Sequence, residues 1–275
     1  MATTDPSQQP VIDQPSTERW RLLPREHGAY AQALFPLLTA LALGSGGAAQ
    51  FYWAAATIAV FVAHEPLLIL AGQRGRRSHA DLAERAQKLA GILLAAALIA
   101  GILGWWYAPP SARLAVALPL SLAIVLLPFI FQHREKTLPG ELLASLTFST
   151  MLIPVALAGS VTLRAALIAG AVWSTIFLLG TITVRAVIAN LKKATHGRWP
   201  VYASIGLSLA AIVVSFLVFL TDAVPALAAA AVLPAAFITF ACSLMGVHPR
   251  HLRTLGWSLV ASNVIALAAL VMALR

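Results

Sequence analysis

Cysteine is almost absent: Cys242 is the only one in 275 residues and lies inside an apolar run, which excludes a disulfide framework and a cysteine-based metal site. Charge is scarce at 11%, and acids are scarcer than bases, ten against nineteen. No Gly-rich loop ends in Lys-Ser or Lys-Thr, so the chain is no nucleotide motor. Arginines at every third position of an apolar run are also missing, which removes a voltage sensor. What fills the chain instead is oil, with 60% apolar residues and a mean hydropathy of +0.84. That much apolar surface cannot be hidden in one water-soluble core, so the chain is an integral membrane protein.

A helical span needs roughly 20 apolar residues. Laid out on that scale, the apolar runs fall at roughly 28–46, 50–71, 87–107, 112–131, 140–160, 163–190, 201–221, 224–245 and 255–273. Residues 1–18 read as a disordered polar tail, and 19–275 as a single all-α domain of nine transmembrane helices. Sixteen of the nineteen Lys and Arg residues, and all seven histidines, fall at one end of these spans; only Arg113, Arg164 and Arg275 fall at the other. By the positive-inside rule the crowded end is cytoplasmic, which puts the N-terminus inside and the C-terminus outside. The basic residues sit in short loops with no continuous stripe of interleaved aromatics, so anionic lipid is the expected partner, and nucleic acid is not. The segment 73–88 reads as a solvated loop or a short amphipathic surface helix.

Several polar groups sit where lipid should be. Glu26 and His27 lie at the entrance of the first span, as an interfacial anchor or as an acid/base or ligand-binding unit. His64 and Glu65 come near the inner end of the second span, followed by Pro66. A carboxylate at that depth must be paired, protonated or turned to a wet cavity, and Pro66 withdraws a donor from the Val62 carbonyl. The pattern favours a broken, polar helix end beside a cavity, with His64 and Glu65 as candidate catalytic groups; the alternative is a pair with an arginine of another span. Arg185 and Lys192 share one face of the sixth span, where an arginine fork can hold a carboxylate or phosphate. An ion pair of Arg185 with Glu65 or Glu141 is the competing reading. Glu141, at the start of the fifth span, suits a helix N-terminus. Asp222 is the only carboxylate at the other end, so no Ser-His-Asp arrangement is possible there.

The runs PREHGAYAQALFPLLTALALG at 24–44, HEPLLIL at 64–70, GELLASLTFSTMLIPVAL at 140–157 and TVRAVIANLKK at 183–193 together resemble the YwiC-like family of bacterial membrane proteins. That family is in turn similar to UbiA-type intramembrane prenyltransferases. The resemblance implies a UbiA-like helical bundle with nine spans, an inside N-terminus and a cytoplasm-facing polar cavity. It also implies an isoprenoid or quinone-like ligand whose head meets Glu26, His27, Glu141, Arg185, Asn190 and Lys192. The lookalike enzymes keep Asp-rich motifs at the inner ends of the second and sixth spans to bind Mg²⁺ and diphosphate. This chain has His64 and Glu65, then Arg185, Asn190 and Lys192, so the usual Mg²⁺-diphosphate site is not supported. Three readings follow: a divergent prenyltransferase-like or lipid-modifying enzyme; a non-catalytic quinone- or haem-binding or assembly factor; and a transporter.

Overall fold

The computed structural model describes residues 22–23, 27–132, 134, 136–189 and 198–275, with the backbone alone for His27 and Arg77. It is built from helices α1 (His27–Leu43), α2 (Ala48–Leu70), α3 (Arg76–Tyr107), α4 (Pro110–Ala115), α5 (Ala117–Phe131), α6 (Leu138–Ala158), α7 (Leu163–Ala189), α8 (Trp199–Leu220), α9 (Ala226–Ala230), α10 (Leu233–Leu244) and α11 (Leu252–Leu274). Among the described residues, eight helical segments have the length and hydropathy to cross a membrane, and a shorter apolar helix, Gly28–Leu43, accompanies them. The chain is therefore a multi-pass membrane protein.

The fourth and eighth spans are each split, α4 from α5 and α9 from α10. Proline explains both breaks. Pro119 offers no N–H to the Ala115 carbonyl, and Pro234 none to that of Ala230, so each helix is interrupted one turn upstream of its proline. Pro66 does not act this way, because α2 runs unbroken through it. The expected broken end of the second span is thus corrected: neighbouring helices bury Pro66, and packing holds the helix together. A second correction concerns 73–88, which is neither loop nor separate surface helix. From Arg76 onward it is the first part of α3, whose 32 residues extend about 48 Å, well beyond the hydrocarbon layer.

The centre of the bundle is α6, which packs against α1, α2, α5 and α7. The long α3 lies along α2, and outer faces of α3, α5 and α8 carry exposed Ile99, Ile102, Ile124, Val125, Val213 and Phe216, a surface suited to acyl chains. Trp105, Trp106 and Tyr107 are exposed at one end of the bundle; Trp199, Tyr202 and Trp257 are exposed at the other. Two such aromatic girdles mark the two membrane interfaces.

Several polar side chains inside the spans are satisfied locally, whereas the buried Asn263 Oδ1 of α11 has no hydrogen-bond partner among the described residues. Thr39, Thr57, Ser145, Ser149 and Thr183 each donate to a carbonyl one turn back in their own helix. Fully buried Trp173 of α7 donates its indole N–H to Thr39 Oγ1 of α1 at 2.9 Å and stacks between Phe35 and Phe177. The hydroxyls of Thr183 and Thr239 lie 2.8 Å apart, and those of Ser243 and Ser204 2.7 Å apart, linking α7, α10 and α8.

At the arginine-poor end, Gln50 is fully buried. Its Nε2 donates to the Ala40 carbonyl at 2.6 Å, and its Oε1 accepts from Gly46 N at 3.1 Å. Gly44 and Gly159 lie directly over this amide, and a Cβ on either would collide with it. Ser45 N donates to the Gly159 carbonyl at 2.8 Å, so one side chain joins the ends of α1 and α6 to the start of α2.

Candidate functional site

The arginine-rich end begins with the way α2 stops. Gln73 N donates to Leu68 O and Gly72 N to Ile69 O, both at 3.0 Å, with Gly72 at φ 73°. This is a Schellman ending, and glycine is what the left-handed position requires. Gly75 at φ 90° then releases the chain into α3. The reversal brings Arg74 back along the helix it has just left. Arg74 Nε donates to Glu65 Oε1 at 2.7 Å and Nη2 to Oε2 at 2.5 Å. Glu65 is 1% exposed and Arg74 24%, so a buried carboxylate is held by a fork whose stem reaches the surface.

Glu65 is therefore paired, with Arg74 of the following turn and not with an arginine of another span. Two parallel charge-assisted bonds offset much of the cost of burying the carboxylate. Neighbouring bonds hold the turn in place. His79 Nδ1–H donates to the Ile69 carbonyl at 3.0 Å, and Gln73 Nε2 donates to the Ile130 carbonyl in the last turn of α5 at 2.5 Å. Ile69, Leu82 and Ala86 form a small apolar cluster beneath it, with Leu22 and Leu70 against them.

A second pair lies on the other side of α6. Glu141 occupies the first turn of that helix, behind Pro139, where the helix dipole favours an acid. Arg185, in the last turns of α7, donates from Nε to Glu141 Oε2 at 2.8 Å and from Nη2 to the Lys136 carbonyl at 2.7 Å. Both side chains of this pair stay partly exposed. Of the two partners expected for Arg185, the structure selects Glu141.

The sequence-derived candidates thus separate into groups. Glu65 joins Arg74, and Glu141 joins Arg185, with α6 packed between α2 and α7. His64 is half-buried one residue before Glu65. His27 is described only as the first residue of α1, and Glu26, Asn190 and Lys192 lie outside the described residues. Arg74 is the partner of Glu65 that sequence reasoning missed. Its signal was present in the Gly72-Gln73-Arg74 order, because a glycine ending the helix seven residues after Glu65 returns the next arginine toward it.

Among the described residues, no three His, Cys, Asp or Glu side chains gather as a metal site. Glu65 and Glu141 each face an arginine, and a donor set of that kind does not fit a pair of Mg²⁺ ions, whose ligands must be free oxygens. The arrangement is suited to holding and releasing an anion or carboxylate through arginine forks.

Fold and site together define a polytopic helical membrane protein with a closed ion-pair latch at one end. Residues 23–157, from α1 to the end of α6, match the family described as YwiC-like protein, and over that stretch the chain is similar to that family. The matched region carries Glu65, Arg74 and Glu141, while Arg185 lies beyond it. No curated protein and no solved structure matches the chain.

Proposed function

We propose that this protein binds the polar head of a lipid-like ligand, an isoprenoid or quinone, at its arginine-rich end. In this reading that end is cytoplasmic, the N-terminus is inside and the C-terminus outside, the membrane is a bacterial inner membrane, and the bundle is UbiA-like with a cavity open to the cytoplasm. The observation that carries the proposal is the buried bidentate Glu65–Arg74 pair at a helix end. A buried carboxylate costs several kcal/mol unless it is paired, and even a paired ionisable group inside a membrane marks a candidate functional site. Arg74 and Arg185 are the anion grips, and Glu65 and Glu141 are the groups they hold until a ligand head competes. Glu26, His27, His64, Asn190 and Lys192 complete the entrance in this proposal.

Binding is favoured over prenyl transfer because both carboxylates are engaged by arginine, so neither stands ready as a base or metal ligand. The non-catalytic reading, a quinone- or haem-binding or assembly factor, rests on that observation. The transferase-like reading requires Arg74 to release Glu65 first.

Native purification of the full chain, followed by lipid mass spectrometry and visible absorption, tests the proposal. The expected result is a stoichiometric isoprenoid or quinone that falls about tenfold in Arg185→Gln, the loss of one charge-assisted contact. Preparations free of isoprenoid, quinone and pigment would overturn it. Turnover of an added isoprenoid diphosphate would move the assignment to the transferase.

A further inference from the structure

The end remote from the Glu65 latch holds a cavity of about 420 Å³, within the size range of small-molecule sites. It lies between the first turn of α7, the α8–α9 turn and the last turn of α11. All three are helix ends, so the cavity opens at the depth of lipid headgroups. Its wall carries Arg164, Asp222 and Thr162, whose Oγ1 accepts from Ala165 N, with apolar Ile168, Val224 and Leu274 among the remaining residues.

No ion pair among the described residues joins the two charges. Arg164 directs Nη2 to the Ala223 carbonyl at 2.8 Å. Asp222 sits at φ 49° in the turn, with its carboxylate exposed. A base and an acid placed on one cavity wall without pairing present complementary charge to a ligand bearing both signs. Apolar side chains beside them extend toward the membrane interior.

We propose that this cavity binds a zwitterionic phospholipid whose head carries both a phosphate and a primary ammonium. The phosphate meets the free N–H groups of Arg164, the ammonium meets Asp222, and an acyl chain follows Ala165 and Ile168 down α7. Arginine suits a phosphate because its planar fork can make two bonds to it. The site is independent of the ligand proposed for the other end.

Native mass spectrometry of the purified full chain, titrated with phosphatidylethanolamine or phosphatidylglycerol of matched acyl chains, tests this. Wild-type protein is expected to retain phosphatidylethanolamine about tenfold better, as one charge-assisted bond provides. Asp222→Asn, tolerated at positive φ, should abolish that preference while phosphatidylglycerol retention persists. Arg164→Gln should lower retention of both lipids. Equal retention of the two lipids by wild type, a preference for phosphatidylglycerol, or a preference unchanged in both variants overturns the proposal. The wild-type comparison decides even where a variant fails to fold.

Discussion

At the scale of single residues, the Glu65–Arg74 pair illustrates how a membrane interior treats charge. The carboxylate is inside and the guanidinium reaches out, so removing the arginine leaves a buried anion with no counterion. Arg74→Ala is expected to cost about 3–5 kcal/mol, whereas Glu65→Leu combined with Arg74→Met should be close to neutral. Unfolding of the purified variants in detergent measures this. A single variant as stable as wild type would show the pair to be dispensable. Sequence reasoning identified Glu65 as a group that needs a partner, but it sought that partner on another span. Depth could be read by counting residues along the helix; the partner depended on a chain reversal set by one left-handed glycine. Gln50 was hidden for a related reason. Gln50 stands at the boundary between a short loop and the second expected span, and only the close approach of Gly44 and Gly159 in the fold makes it a buried contact.

At the scale of elements, hydropathy located the spans well because it reports what lipid must contact. It reported less about where helices begin and end. Charge set the start of the expected third span near residue 87, yet α3 begins at Arg76, since Arg, Glu, Lys, Gln and Ala are good helix formers outside the hydrocarbon. The splits in the fourth and eighth spans escaped notice because an apolar run looks the same on both sides of a proline. Gly72 is the element-level residue most open to test. Alanine there must adopt a positive φ, at a cost of about 1 kcal/mol or more, and the Schellman ending is what returns Arg74 to Glu65. Limited trypsin digestion of Gly72→Ala should cleave faster at the 74–77 arginines than digestion of wild type. An unchanged rate would mean that the turn is held by His79 and Gln73 without the glycine.

At the scale of the whole molecule, two aromatic girdles mark a membrane slab, and the one-sided arginines are the basis of the proposed direction across it. In a Cys242→Ser background, cysteine at Ala80 is expected to react with a membrane-impermeant maleimide only in inside-out vesicles, and cysteine at Ser111 only in intact cells. The reverse pattern would invert the proposed orientation and exchange the sides of both ligand sites. Both positions are exposed, and neither touches the ion pairs.

Gln50 sits about 22 Å from Glu65 along α2, at fifteen residues of helical rise. Because it pins α1, α2 and α6 together under two glycines, tilting among these three helices turns about that amide as a lever turns about its fulcrum. Displacement then grows along the shaft: a few degrees that barely disturb the Gln50 hydrogen bonds shift the far end of α2 by about an ångström against α6, carrying Glu65 and Arg74 together. Rigidity at one end leaves the spacing between the two ion pairs, on α2 and at the start of α6, as the quantity that such a tilt changes.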